Sequence, residues 1–172
     1  RGFCSLAGAW QLFGFSMFSV IEKSSGDWIG RMGPWQPQDW PGTEVGWGIR
    51  RASWGRGYAP EAAVAAIDWA FDTLGWHEVI HTIAENNDNS RAVARKLGST
   101  LLRMGELPPP YNDKPMQIWG QSREQWRQRA RRTGPGTAGP AAPPSVKQDM
   151  GECTPRARPP PPRPGSRAGS RR

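Results

Sequence analysis

Glu44–Ala62, EVGWGIRRASWGRGYAPEA, sets four glycines and a proline directly before an alanine-rich run. Val45, Trp47 and Ile49 alternate with Gly46 and Gly48, which is the period of a strand. Pro60 suits the first turn of a helix, where a missing N–H loses no bond. Between them, Gly55-Arg56-Gly57-Tyr58-Ala59 reads as a turn with outward-facing N–H groups. It adjoins the positive end of a helix, a setting suited to phosphate. Tyr58-Ala59-Pro60 does not continue as a dinucleotide fingerprint, and the Lys-Ser/Thr of a P-loop is absent. Gly46 and Gly48 would weaken a central strand unless something approaches its backbone closely. A bulge in this strand would part it from its neighbour and free N–H and C=O groups for an extended ligand. Coenzyme A has both parts required, an arm containing amides and a pyrophosphate.

Outward from that stretch the pattern is regular. Gly2–Ile21 is uncharged and of membrane-spanning length, but three glycines, three serines and a glutamine dilute it. It reads instead as a buried helix end followed by a buried strand over about Phe13–Glu22. The turn SSGD leads to a second strand, Trp28–Trp35, and a proline-bounded loop to a third, Thr43–Ile49. Ala63, Ile67, Ala70, Phe71 and Leu74 form an apolar stripe at helical spacing, and Gly75 is a stop signal. His77–Ile83 reads as a short strand. Asn87 caps a helix ending at Leu97–Gly98. Two final strands are expected over Thr100–Gly105 and Met116–Gln121, and a capping box at Ser122 and Gln125 opens a last helix. The fold class is α/β: a mixed, mostly antiparallel sheet with flanking helices.

The domain is placed at residues 1–132. Residues 133–172 hold ten of the eighteen prolines, no Phe, Trp or Tyr, and a net charge of +5 (7 basic minus 2 acidic). They cannot bury enough apolar surface to offset chain entropy and read as a disordered basic tail. The domain itself carries only +3 (16 minus 13), so the basic balance does not make nucleic acid an expected partner. Cys4 and Cys153 are too few for a disulfide framework or zinc site, which fits a reducing cytoplasm. His77 and His81 lack a third ligand and read as packing residues. No metal and no membrane is expected, and the protein is expected to be a monomer or homodimer.

Three separated blocks, EVGWGIRRASWGRGYAPEA, ENNDNSRAVARKLGS and MQIWGQSREQW, resemble in order the GNAT N-acetyltransferases, most closely the ribosomal-protein branch. The resemblance spans about Phe13–Trp126. It implies an acetyl-CoA-dependent enzyme that moves acetyl directly to a primary amine of a protein or small molecule. It makes Gly55, Arg56, Gly57, Tyr58 and Ala59 the pyrophosphate loop. It makes Gly46, Trp47, Gly48 and Ile49 the bulged strand beside pantetheine. Asn87 and Ser90 match an Asn-x-x-Ser near the thioester, and Glu44 matches a strand carboxylate used as general base. The tyrosine that protonates the departing thiolate in many members is replaced by Ala94, leaving Ser90 or water. Ser99 stands where phenylalanine usually follows the glycine. The first strand and most of the first two helices of the family pattern are expected to lie before residue 1. A non-catalytic acyl-CoA-binding module is the alternative reading.

Overall fold

The computed structural model describes residues 2–132, so the expected tail lies outside the described residues. The elements are α1 (Gly2–Phe13), β1 (Phe18–Ile21), β2 (Trp28–Trp35), β3 (Glu44–Ile49), α2 (Tyr58–Asp72), β4 (Glu78–Ala84), α3 (Asp88–Leu97), β5 (Thr100–Gly105), β6 (Met116–Ser122) and α4 (Arg123–Arg132). One sheet carries the strands in the order β1-β2-β3-β4-β6-β5. Only β3 and β4 run parallel, because α2 joins them and a parallel pair needs a crossover. The expected mixed sheet is therefore present.

Two local expectations are corrected. The strand expected over Phe13–Glu22 is only Phe18–Ile21, because α1 runs on to Phe13 and Gly14 turns the chain at φ 72°. Nor is this region buried: Leu12 and Phe13 are exposed and β1 alternates between half-buried and exposed. Its aromatic residues face partners rather than a deep core. Trp10, Phe18 and Trp69 meet edge to face or tilted, with ring centroids 5.2 to 6.4 Å apart, which seats α1 beside α2. No described helix is long and apolar enough to cross a membrane.

The core lies between the sheet and α2. Ala63, Ala66, Ile67, Ala70 and Phe71 bury one side of the helix against Met32 of β2 and Val45 of β3, with Val79, Leu97 and Trp126 closing the cluster. Small alanines let the helix approach the strands, while Ile67 and Phe71 fill the space. Fully burying a side chain such as Phe71 contributes roughly 1.5–3 kcal/mol. Leu74 falls just past the helix end and is only half-buried.

The helix boundaries follow their sequence signals. Asn87 Oδ1 accepts from the Ser90 N–H at 3.0 Å. At the other end of α3, Gly98 N–H reaches Arg95 O and Ser99 N–H reaches Ala94 O, each at 3.0 Å, a Schellman closure. The capping box at α4 is reciprocal: Ser122 N–H donates to Gln125 Oε1 at 2.8 Å, and Gln125 N–H to Ser122 Oγ at 3.2 Å. Ser122→Ala is expected to lower stability by about 1 kcal/mol, measured by urea unfolding at pH 7.

Candidate active site

β3 and β4 share a single bridge, Glu44 opposite Ile80, where the Ile80 N–H donates to Thr43 O at 2.9 Å. Beyond it the strands part. The parting does not come from the expected bulge: β2 and β3 keep an unbroken register from Gly30↔Ile49 to Trp35↔Glu44. Side chains hold the gap open instead. The His81 ring nitrogen Nδ1 lies 2.7 Å from Val45 O, and its Nε2 lies 3.0 Å from Ser99 Oγ. A carbonyl only accepts, so Nδ1 carries the proton and Nε2 accepts from the Ser99 hydroxyl. Gln121 Nε2 donates to Ser99 Oγ at 2.9 Å, completing a buried chain. Trp47 tilts against the His81 ring at 4.7 Å and donates from Nε1 to Ser90 Oγ at 3.2 Å. Burial lowers the His81 pKa to about 4, so the ring is neutral at pH 7. His81 thus has the packing role expected, whereas His77 lies outside β4 and is exposed.

The gap is a polar cavity of about 120 Å³. Glu44, Gly46 and Trp47 line it from β3, His81 and Thr82 from β4, and Asn87 and Ser90 from the start of α3. Five residues expected in the site therefore meet in one place. Glu44 is 6% exposed, not the surface carboxylate a strand end usually offers. It accepts from the Trp40 indole N–H at 2.5 Å, the Thr82 hydroxyl at about 3 Å and the Thr82 N–H at 3.3 Å. Desolvation outweighs these donors and raises its pKa to about 7. Gly46 is closely surrounded: an added Cβ would lie 2.9 Å from Met17 Cε, the end of a flexible side chain, and 3.2 Å from Glu44 Oε1. Gly48 is exposed, and an added Cβ would make only ordinary contact with Arg31. Gly48 and Ile49 lie further along β3, outside the cavity lining.

The turn at Gly55–Gly57 is exposed and leads into α2. Gly57 is the N-cap at φ 84°, a left-handed conformation that favours glycine, and it offers no capping side chain. No described hydrogen bond uses the N–H groups of Gly55, Gly57, Tyr58 or Ala59. A helix N-terminus with open amides is competent to hold an anion. Arg56, by contrast, is turned to Glu22 at 2.8 Å.

Ala94 is fully buried against Ile83 and Trp119, so its position supplies neither a hydroxyl nor room for one on an aromatic ring. Ser90 Oγ receives the Trp47 N–H, which leaves its own proton free to donate. Trp40 also meets Trp35 and Tyr111, with centroids 6.4 and 6.1 Å away, so an aromatic wall is contiguous with Glu44. A wider hollow of about 470 Å³ runs along α4 past His77, Arg123 and Arg127. Asp72 pairs with both arginines, and the hollow holds no buried carboxylate. Among the described residues no cluster could hold a metal.

Sequence reasoning missed Thr82, the hydrogen bond from Trp40 to Glu44, and the His81–Ser99–Gln121 chain. Ser99 carried the one available signal, a small polar residue where the family pattern has phenylalanine. Its hydroxyl is needed by His81.

Residues 3–100 match the Acetyltransferase (GNAT) domain family. An uncharacterized Bacillus subtilis protein, YkkB, is 33% identical over 88 residues, covering 50% of this chain and 51% of that protein. The FsC-acetyl coenzyme A-N(2)-transacetylase of Aspergillus fumigatus is 34% identical over 88 residues, covering 49% of this chain and 37% of that protein. The chain thus spans about half or less of the curated relatives it matches. A crystal structure of an acetyltransferase from Agrobacterium tumefaciens superposes with a TM-score of 0.62 at 31% identity, covering 70% of this chain and 68% of the other. With its family domain matched over more than half its length and its sheet parted at the same point where the motifs meet, the chain belongs to the GNAT acetyltransferase family.

Proposed function

We propose that the protein transfers the acetyl group of acetyl-CoA directly to a primary amine. The observation that carries this reading is the parted β3–β4 pair, with a buried carboxylate at its closed end and an open-amide turn beyond the end of β3. The pantetheine arm would lie along β3, with its pyrophosphate on Gly55–Ala59. The thioester end would face Glu44, Asn87 and Ser90. A lysine-like amine of pKa about 10.4 is protonated at pH 7, and removing its proton costs about 4–5 kcal/mol; an α-amine near pKa 8 costs only about 1–1.5 kcal/mol. Glu44 takes that proton, the amine nitrogen attacks the thioester carbonyl, and the C–S bond breaks as the C–N bond forms. Ser90 or water protonates the departing thiolate and is restored by the nitrogen's second proton, released as the amide forms. The reaction belongs in the reducing cytoplasm, and a monomer or homodimer would serve it.

The test is calorimetric titration with CoA, followed by release of free thiol from acetyl-CoA in the presence of peptide N-termini, lysine peptides, polyamines and aminoglycosides. Coenzyme binding with turnover on at least one amine is expected. Absence of CoA binding overturns the proposal. Tight binding without turnover on any amine would instead favour a non-catalytic acyl-CoA-binding module, a reading to which the buried Ala94 lends one specific observation.

A further inference from the structure

Glu22, just past the end of β1, lies outside every motif that suggested the site. Its backbone closes the β1–β2 turn: Glu22 N–H donates to Asp27 O at 2.9 Å, and Gly26 N–H to Glu22 O at 2.8 Å. Its carboxylate points the other way in the chain's order, to the turn before α2, 34 to 36 residues later. Oε1 accepts from the Tyr58 hydroxyl and pairs with Arg56 Nη2 at 2.8 Å, while Oε2 accepts from Ser25 Oγ at 2.8 Å. The Arg56 guanidinium also lies over the Tyr58 ring, 5.0 Å from its centroid. The Glu22 side chain is 10% exposed, against 55% for Arg56.

This knot bears on a turn with little else to hold it. Gly55 and Gly57 both sit at positive φ, 76° and 84°, and a Cβ at either would meet nothing within 4 Å. Neither glycine is packed against the body of the protein. Trp54, just before the turn, is held by its Nε1–H bond to Ile49 O at 2.7 Å; within the turn Arg56 and Tyr58 are the side chains that tie it down, and both are tied to one carboxylate. An anion site made of backbone amides works only if those amides are already aimed, because ordering a free glycine turn on binding would be subtracted from the affinity.

We infer that Glu22 is a positioning residue for the coenzyme pyrophosphate, acting by clamping the Gly55–Tyr58 turn through Arg56 and Tyr58. Arg56 is accordingly an anchor of the turn, and the phosphates are met by main-chain N–H groups. A negative side chain next to a phosphate site looks counterproductive. It is tolerable here because Arg56 neutralises it at contact distance.

The inference rests on the acetyl-CoA reading, and two ligands separate their failures. S-acetylpantetheine lacks the pyrophosphate and reports the β3–β4 gap alone, whereas acetyl-CoA reports gap and turn together. Glu22→Gln in the full chain is expected to weaken acetyl-CoA binding about tenfold and raise its KM with kcat unchanged. S-acetylpantetheine affinity should stay the same. Tyr58→Phe, which removes one arm of the clamp and leaves the Arg56 pair, should show a smaller loss in the same direction and serves if Glu22→Gln folds poorly. Unchanged acetyl-CoA affinity in both variants overturns the clamp. So does tighter binding, which would make Glu22 a competitor for Arg56. Equal loss for both ligands would also overturn it, as general loosening of the fold. If the wild-type chain binds no CoA, the parent reading fails and the clamp falls with it.

Discussion

Glu44→Gln is expected to lower acetyl transfer by about 10²–10⁴-fold while leaving CoA affinity nearly unchanged. The substitution keeps the shape of a side chain that is 6% exposed and that accepts from Trp40 and Thr82. It removes the group that can take a proton. In the wild type, kcat/KM should rise with pH through about 7, the value to which burial lifts this carboxyl, and then level. That limb should be absent in the variant, in a stopped-flow thiol-release assay between pH 5.5 and 8.5. A retained limb with full activity would remove Glu44 from catalysis. The same change should stabilise the protein. A carboxyl whose pKa is about 7 folded and 4.5 unfolded favours folding only while protonated, so its contribution is complete below 4.5 and lost as pH rises through 7. At pH 8 the wild type therefore carries a buried charge that Glu44→Gln lacks, a difference of up to about 3 kcal/mol.

His81→Phe is expected to lower stability at pH 7 by about 3 kcal/mol. It keeps a ring beside Trp47 but leaves the Val45 carbonyl and the Ser99 hydroxyl without their partner, at about 1–3 kcal/mol for each buried group. Its pH signature is more distinctive. The His81 pKa is about 4 folded against 6.5 unfolded, so its contribution is complete above 6.5 and lost as pH falls through 4. Glu44 shifts the opposite way over nearly the same range. Near pH 5.5 the folded state holds a proton on Glu44 and none on His81, and the unfolded state has the reverse. The two contributions cancel in the wild type between about 4.5 and 6.5. Urea unfolding across this window should show stability climbing with pH in Glu44→Gln, at up to about 1.4 kcal/mol per pH unit. In His81→Phe it should fall with pH. A flat profile in Glu44→Gln would show that His81 titrates as it does in the unfolded chain, and a flat profile in His81→Phe would show the same of Glu44.

The parts of this molecule that were legible in the sequence depend on neighbours close along the chain. Asn87 at α3, the Ser122–Gln125 box and the stripe on α2 are local patterns, and the structure has them as read except that α2 ends before Leu74. The Gly55–Ala59 turn was legible for the same reason. What failed depended on tertiary context. The chain from Phe13 to Met17 alternates like a strand, but at that edge no neighbour pairs with it before Phe18. The parted strands were expected, with the wrong cause: no bulge exists in β3, and the separation is kept by an imidazole whose partners, Val45 and Ser99, lie 36 and 18 residues away. No spacing rule connects those positions. Thr82 and Trp40 were hidden likewise, since their value lies in pointing at Glu44 from a different strand and a loop.

Among the described residues Glu44 and Ile80 form the single backbone bridge in the middle of the sheet, so two three-stranded leaves, β1-β2-β3 and β4-β6-β5, meet through that bridge and the side-chain bonds of Thr82 to Glu44 and His81 to Val45. An elongated guest carrying its own amides would act as the missing ribbon between them. Its arrival should then do more than occupy a site: it should make the leaves exchange their amide hydrogens as one unit where, empty, they open separately.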